Sequence, residues 1–188
     1  MITIPGLCLI GGNSRHSGKT SLACRVIRKL GQGKAIGLKV TRFHKDEGKY
    51  HGDHSSEKPF EGKWDISEEL NPDSEKDTSQ MLAAGAKRVF YIRAEDRYIE
   101  EAFTEFISLH HTGEPIICES RSLRDSIIPG LFILMIRHSS NLPLKDVSIY
   151  RRQADLIIES YNHPAELEPY LKQIIFIKNS GFALQDGV

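Results

Sequence analysis

Short apolar runs separated by polar and glycine-rich stretches divide this chain into alternating elements. Residues 6–12 and 34–40 are apolar runs bounded by glycine or polar residues, which predicts two buried strands. Between them, apolar side chains recur at helical spacing, at Leu22, Ala23, Val26, Ile27 and Leu30. Gly31 and Gly33 follow as a helix stop. The start of the chain is therefore predicted to form a strand, a loop, a helix and a second strand.

The same alternation continues along the rest of the chain. Further strands are predicted at residues 88–92, 115–118, 131–136, 155–158 and 174–177, and helices at 96–107 and 164–172. Residues 131–136 are apolar throughout, as expected of a strand covered on both faces. Alternating strands and helices predict a three-layer α/β fold with a mostly parallel, doubly wound sheet of about seven strands.

Residues 42–76 interrupt this alternation. They are rich in charged residues, glycine and proline, with Trp64 and Ile66 as apolar anchors, which predicts a long charged loop that is mobile or functional. Its histidines match no metal-ligand spacing and are interpreted as solvated: His44, His51 and His54. No internal repeat is present, and residues 1–188 are interpreted as one domain.

A glycine-rich loop directly follows the first predicted strand. Residues 11–20 are GGNSRHSGKT, and the first predicted helix begins immediately afterwards. In such a loop, backbone N–H groups wrap phosphates and the helix N-terminus adds a partial positive charge. Lys19 is expected to reach the β and γ phosphates, and Thr20 to ligate Mg²⁺. The predicted nucleotide-binding residues are Asn13, Ser14, Arg15, His16, Ser17, Gly18, Lys19, Thr20 and Ser21.

One position departs from the phosphate-loop pattern G-x-x-x-x-G-K-[ST], because Asn13 stands where the pattern has glycine. Asparagine is the non-glycine residue that best tolerates a positive φ, and Gly11 and Gly12 precede it, so the turn is still expected to form. The alternative is a glycine-rich turn capped by Ser17 that binds no ligand. The position of the loop between a strand and a helix favours the phosphate site.

Other polar residues are expected around the loop. Arg15 and His16 either extend over the terminal phosphate or a second substrate, or are solvated side chains. Lys39 and Thr41 end the second predicted strand, beside the loop at the edge where a doubly wound sheet binds ligands. They are predicted substrate contacts, together with Arg121. The alternative for Lys39 is a surface lysine at a strand end.

Two carboxylates are candidates for holding the metal. Glu119 follows the apolar strand at 115–118 and is expected to ligate Mg²⁺ through water or to orient an attacking water, so Glu119 and Lys19 are the predicted catalytic residues. The alternative for Glu119 is a strand-terminal acid bound to the backbone N–H groups of residues 120–122. Asp77 is either a third metal ligand beside Thr20 and Glu119, or a helix N-cap with Gln80 at the third helical position.

The formal net charge of +0 results from unlike segments that cancel. Residues 1–45 hold nine Lys and Arg and no acid, residues 46–80 hold eleven acids and four bases, and the remainder holds fourteen acids and twelve bases. The basic first quarter contains the glycine-rich loop and suits a polyphosphate ligand. The acidic block is interpreted as a screen for the site or a docking segment for a basic partner, and the zero total argues against nucleic-acid binding.

No apolar stretch approaches the roughly 18 residues of a membrane span, and the first residues lack the features of a signal peptide, so a cytoplasmic protein without membrane contact is expected. Cys8, Cys24 and Cys118 are widely spaced in apolar runs. They are interpreted as reduced core thiols.

The loop at 15–22, the strand end at Lys39, and KDT at 76–78 leading to AGAKRV at 84–89 together resemble the molybdopterin-guanine dinucleotide biosynthesis protein B (MobB) family. The strand ending in Glu119 resembles that family's second acidic motif. The resemblance implies a P-loop NTPase fold, usually dimeric, that binds GTP with Mg²⁺, hydrolyses it weakly and assists the nucleotidyltransferase that attaches GMP to molybdopterin.

For the residues, the resemblance implies that Lys19 and Thr20 hold phosphate and Mg²⁺, that Glu119 and Asp77 serve the metal, and that Lys39 faces the ligand. The implied partners are a nucleoside triphosphate, a nucleotidyltransferase and a second copy of the chain. Residues 131–136 and 147–149 offer apolar surface for such a dimer. No guanine-reading motif is present, so the nucleotide is GTP or ATP.

Two other functions stay open. The loop is also similar to that of dethiobiotin synthetase-like enzymes, which implies a small-molecule kinase or ligase in which Arg15, Lys39, Arg121 or Arg124 grips an acidic acceptor. A non-catalytic nucleotide-binding adaptor is the remaining alternative, with the acidic segment as its docking surface.

Overall fold

The computed structural model describes residues 1–43, 62–138, 144–159 and 163–185. Within them the elements are, in chain order, β1 (Ile2–Gly12), α1 (Lys19–Leu30), β2 (Ile36–Phe43), β3 (Trp64–Glu69), α2 (Asp77–Ala83), β4 (Arg88–Glu95), α3 (Ile99–His110), β5 (Ile116–Glu119), β6 (Ile127–Ile136), α4 (Ser148–Gln153), β7 (Leu156–Glu159), α5 (Glu168–Gln173), β8 (Ile174–Ile177) and β9 (Gly181–Leu184). Short 3₁₀ turns at Asp96–Tyr98, Ser122–Asp125 and Pro164–Leu167 connect some of them.

Seven strands form one sheet in the order β3-β4-β2-β5-β1-β6-β7. Every neighbouring pair is parallel except β3 and β4, which are antiparallel. The strand β1, which leads into the glycine-rich loop, lies between β5 and β6. The predicted α/β class with a mostly parallel, seven-stranded sheet is therefore confirmed.

Two apolar cores lie on opposite faces of this sheet. Successive β1 residues point to opposite faces: Cys8 and Ile10 pack with α1, α2 and α5, whereas Leu7 and Leu9 pack with α3 and α4. Helix layers on both faces explain why the central strands are continuous apolar runs. Within this packing the three cysteines are buried and free, as the sequence predicted.

The predicted loop at 42–76 is wrong in two places, although it ends correctly at residue 76, directly before α2. Residues 42 and 43 still belong to β2, and Trp64–Glu69 form the edge strand β3. The apolar anchors of the segment, Trp64 and Ile66, are two residues apart, so both face the core on the α3 side while the intervening side chain faces away. Residues 44–61, which include the three loop histidines, lie outside the described residues.

The last predicted strand, 174–177, forms β8 but does not join the main sheet. It pairs with β9 in a separate two-stranded antiparallel sheet. The short helix α4 and the strand β9 were not predicted, because each is only a turn or a strand of a few residues with weak periodicity. None of the helices in the described ranges is both long and apolar enough to cross a membrane.

The proposed dimer surface at 131–136 is also wrong. These residues are the buried C-terminal part of β6, between β1 and β7. Their apolar side chains fill both cores and leave no apolar face for a second chain. In the region at 147–149, Ile149 is exposed.

A bulge in β1 tightens the packing at the amino end of the sheet. The β1–β6 register shifts between Ile4 and Cys8, and the β1 residues Pro5, Gly6 and Leu7 stand opposite Gly130 alone. A Cβ atom added at Gly130 would lie 2.0 Å from the Pro5 carbonyl oxygen, and one at Gly181 of β9 would lie 2.2 Å from it. Two glycines therefore permit three backbones to meet at Pro5.

Candidate functional site

The loop between β1 and α1 has the backbone of a phosphate cradle. His16 and Gly18 adopt positive φ angles of 55° and 86°, and α1 begins at Lys19. The Lys19 ammonium folds back over the loop and donates to the Ser14 carbonyl oxygen (2.9 Å) and to Ser17 Oγ (3.2 Å). The hydroxyl oxygen Ser14 Oγ is buried and has no hydrogen-bond partner among the described residues. The loop thus contains a cation held by its own oxygen atoms and a buried hydroxyl without a partner among the described residues.

Asn13 holds the start of the loop to the end of β6. Its side-chain amide donates to the Arg137 carbonyl oxygen (2.8 Å), and its Oδ1 accepts from the Arg137 N–H (2.9 Å). The expected positive φ at this position is wrong, since the left-handed residues of the loop are His16 and Gly18. The Asn13 side-chain amide thus donates to and accepts from the backbone of one residue, as the backbone of a neighbouring strand does, and glycine at this position could not form either bond.

Replacing Asn13 with glycine, the residue of the common motif, is expected to destabilise the protein by about 2 kcal/mol, because two partly buried hydrogen bonds are lost at about 1 kcal/mol each. Urea denaturation measures this loss. Asn71→Gly, at an exposed turn, is the matched control and should cost under about 1 kcal/mol. Equal losses in the two variants would show that the amide pairing contributes nothing specific.

Two carboxylates from distant parts of the chain converge on the Thr20 hydroxyl. Asp77 Oδ1 lies 2.9 Å and Glu119 Oε2 lies 2.6 Å from Thr20 Oγ1. A hydroxyl donates one hydrogen at a time, so the two carboxylates share it. Glu119 Oε1 is also 4.0 Å from Lys19 Nζ, and Lys39 Nζ forms an ion pair with Asp77 Oδ2. The structure therefore brings together Lys19, Thr20, Lys39, Asp77 and Glu119.

The local structure explains each position. Thr20 lies in the first turn of α1. Asp77 was a candidate N-cap of the next helix, but it is the first residue of α2. The N-cap position is occupied by Lys76, whose side chain makes no capping hydrogen bond. Glu119 ends β5, and the Ser120 N–H donates to the Ile10 carbonyl oxygen (3.1 Å), which leaves the carboxylate directed at Thr20.

Burial and neighbouring charges shift the pKa values of Glu119, Asp77, Lys19 and Lys39, two upward and two downward. Burial, with the Asp77 charge, raises the pKa of Glu119 despite the opposing Lys39 and Lys19 charges. At Asp77 burial is outweighed by the Lys39 ammonium and the Thr20 hydroxyl, so its pKa is lowered. Burial lowers the pKa of Lys19, whereas the Glu119 and Asp77 charges outweigh burial at Lys39 and raise its pKa. An additional cation at the shared hydroxyl would relieve the repulsion between the two acids.

The other predicted residues are distributed around this centre. Arg15 and His16 are exposed in the loop, and the Arg137 guanidinium donates to the His16 carbonyl oxygen (3.0 Å). Thr41 is half-buried near the end of β2, in register with Arg93.

The two arginines that follow β5 point different ways. Arg121 donates to the Asp146 carbonyl oxygen (3.4 Å) and lies over the Tyr150 ring. Arg124 is not at the site, because its guanidinium reaches the Ile127 carbonyl oxygen at the start of β6 (3.3 Å). That contact lies where β1 and β6 begin, whereas the loop lies where β1 ends.

Two cations near the loop were not predicted from sequence. Arg42 is the next-to-last residue of β2 and pairs with Asp96 (2.9 Å) and Asp125 (3.6 Å). The Lys145 N–H donates to the Asn13 carbonyl oxygen (2.7 Å), which fixes that residue beside the loop. The only available signal was a basic residue shortly after an apolar strand, which is too common to single out a site.

Comparisons with known proteins identify the fold. No protein-family model matches the chain, and no curated protein sequence matches it. Among solved structures, the chain is similar to LpxK from Aquifex aeolicus, crystallised in an "apo" form in complex with ATP, with a TM-score of 0.51 and 18% sequence identity. The similarity covers 96% of this chain and 54% of the LpxK chain, so this chain spans about half of that protein. The chain has the P-loop NTPase fold.

Proposed function

We propose that this protein binds a nucleoside triphosphate with Mg²⁺ at the loop spanning residues 13–21 and acts on its terminal phosphate. One observation carries the proposal: Asp77 and Glu119, from separate elements, meet on the hydroxyl of Thr20, which directly follows the loop lysine Lys19. A hydroxyl and carboxylates are oxygen donors that Mg²⁺ uses when substrate phosphates complete its shell. The ATP complex of the similarly folded LpxK supports the same ligand class.

In this proposal each residue has a distinct role. The Lys19 ammonium moves from Ser14 and Ser17 onto the β and γ phosphates, and backbone N–H groups of the loop bind the remaining oxygens. Thr20, Asp77 and Glu119 would hold Mg²⁺, directly or through water, and the ion would supply positive charge against the transferring phosphoryl group. In hydrolysis, a water oxygen bonds to the γ phosphorus while the bond from that phosphorus to the β–γ bridging oxygen breaks. The nucleoside diphosphate leaves, and the γ phosphoryl group becomes inorganic phosphate as the attacking water releases a proton to solvent.

The metal assignment predicts that removing the shared hydroxyl uncouples nucleotide binding from Mg²⁺. In Thr20→Val and Glu119→Gln, Mg²⁺ should strengthen triphosphate binding at least tenfold less than in the unaltered protein, because an oxygen donor or a negative charge is lost. Isothermal titration calorimetry with and without Mg²⁺ measures the difference. Thr104→Val is the matched control, since among the described residues the Thr104 hydroxyl donates to the Glu100 carbonyl oxygen of its own helix, α3. An undiminished Mg²⁺ effect in Thr20→Val would contradict the assignment.

The finer role follows the resemblance to the MobB family. In this version of the proposal the protein is a homodimer that binds GTP, hydrolyses it weakly, and assists a nucleotidyltransferase in forming the molybdenum cofactor. A thermal-shift panel of ATP, GTP and molybdopterin with Mg²⁺ tests it. Stabilisation by GTP and molybdopterin supports this role, whereas no shift with any triphosphate would overturn the proposed function as a whole.

A second candidate is transfer of the γ phosphate to a small molecule. It is favoured by two basic residues beside the loop, Arg121 and Lys145, in addition to Lys19. Phosphate transfer that rises sharply when an anionic metabolite is added would support it over slow hydrolysis. Triphosphate that stays intact through a long incubation with Mg²⁺ would favour the adaptor alternative instead.

A further inference from the structure

Four neighbouring strands of the sheet each bring a basic residue to the edge that holds the loop. The strands are β2, β5, β1 and β6, which are adjacent in that order. The corresponding residues are Arg42 in β2, Arg121 two positions after β5, Arg15 in the loop after β1, and Lys145 in the segment after β6. Parallel strands end at the same edge, so residues far apart in sequence are placed side by side.

Contacts fix two of these residues beside the loop. The Lys145 backbone N–H donates to the Asn13 carbonyl oxygen (2.7 Å). Arg121 Nη1 donates to the carbonyl oxygen of Asp146, which directly follows Lys145 in the chain (3.4 Å). The Arg121 guanidinium is 5.3 Å from the centre of the Tyr150 ring, which orients it. The Asp146 carboxylate accepts from the Ser148 N–H (2.9 Å) as a turn acceptor. The Arg121 side chain and the Lys145 backbone therefore lie together at the mouth of the loop, and the Arg121 charge is the strongest that acts on the Lys145 ammonium.

Among the described residues the cations at the mouth of the loop are only partly compensated: the Asp146 carboxylate, whose pKa is lowered by its hydrogen bonds to Ser148 and also by the Arg121 charge, lies nearby. Arg42 has carboxylate partners in Asp96 and Asp125, but none of the ion pairs between described residues involves Arg15, Arg121 or Lys145. Burial, followed by the charge of Arg121 and the other nearby cations, lowers the pKa of Lys145. Cations that outnumber the nearby carboxylates repel one another, and a bound anion would reduce that repulsion.

We propose that Arg121 and Lys145, with Arg15 at the open side, form a second anion site that binds a dianionic phosphate group on the acceptor of the γ phosphate. The inference rests on the proposed nucleotide binding, since the acceptor must lie against a filled loop. A planar guanidinium and a flexible ammonium together match the three oxygens of a phosphate ester. Lys19 and the backbone N–H groups already serve the nucleotide phosphates, so the outer cations are free for a second ligand.

The test separates the two sites by filling the first. The protein is saturated with Mg²⁺ and AMP-PNP or GMP-PNP, whichever it binds, so that an intact triphosphate analogue occupies the loop. Inorganic phosphate is then titrated by calorimetry. We expect one phosphate to bind per chain, Arg121→Gln and Lys145→Gln each to weaken that binding at least tenfold, and the double variant to abolish it. Arg28→Gln is the charge-matched control, on an exposed arginine at the far end of α1.

Three outcomes overturn the inference in distinguishable ways. A protein that binds the analogue but no phosphate refutes the second site alone. Variants in which analogue affinity falls as far as phosphate affinity show that these cations serve the triphosphate. A protein that binds neither analogue refutes the proposed function and the second site with it. Circular dichroism of each variant verifies that lost binding is not lost folding.

Discussion

Replacing Lys19 with alanine is expected to weaken triphosphate binding by at least about a hundredfold and to leave the fold intact. The Lys19 ammonium already donates to two oxygen atoms of its own loop, and a bound phosphate would take over these charge-assisted hydrogen bonds. Such bonds contribute about 1.5–3 kcal/mol each, and about 1.4 kcal/mol corresponds to a tenfold change in Kd. Calorimetry with the triphosphate and Mg²⁺ measures the loss.

The fold is expected to survive this change for a physical reason. Burial lowers the pKa of Lys19, and nearby Lys39 and Arg121 oppose its charge, so the folded protein gains little from this ammonium. The free energy of unfolding should change by less than about 1 kcal/mol. Lys34→Ala, an exposed lysine beyond α1, is the control and should alter neither quantity. Unchanged triphosphate affinity in Lys19→Ala would defeat the proposed function.

The largest effect on stability is expected from Gly130→Ala. A Cβ atom at this position would lie 2.0 Å from the Pro5 carbonyl oxygen and 2.8 Å from its carbonyl carbon, and both are backbone atoms that cannot rotate away. Relieving the overlap requires β1 and β6 to separate where β9 also packs. Overpacking of this kind costs about 3 kcal/mol or more. For a chain of this size that lowers the Tm by roughly 6–12 °C, which thermal unfolding measures.

Gly6 provides a control one residue away from Pro5. A Cβ atom at Gly6 meets no atom within 4 Å, and its φ is not in the left-handed region. Gly6→Ala should therefore change the free energy of unfolding by less than about 1 kcal/mol. Any change should be a stabilisation, because alanine lowers the conformational entropy of the unfolded chain. If Gly130→Ala were as stable as Gly6→Ala, the contact of the three backbones at Pro5 would not limit the packing.

The main sheet could be predicted because its strands depend on local composition. A strand buried on both faces must be apolar along its whole length, and β1, β2, β5 and β6 each contain such a run. The edge strand β3 was missed because only Trp64 and Ile66 face the core, inside a segment that is otherwise charged. Its pairing with β4 joins residues 20 to 30 positions apart, which a local pattern does not show.

The candidate site, like the sheet, could be predicted from the sequence only in part. The loop and its lysine form one short motif, so residues 11–20 alone indicate phosphate chemistry. Asp77 and Glu119 were chosen by their positions after or before predicted elements, and only the fold places both at Thr20. Lys145 and Arg42 carried no usable local signal and join the site through strand order.

By itself, the sequence determined the α/β class, the glycine-rich loop and the concentration of basic residues in the first quarter of the chain. Each of these depends on neighbouring residues, whose spacing sets which face a side chain occupies. The tertiary structure alone decided what the Asn13 amide binds, which acids share the Thr20 hydroxyl, and which basic residues lie beside the loop. Those contacts join residues up to 124 positions apart, and the order of strands in the sheet brings them together.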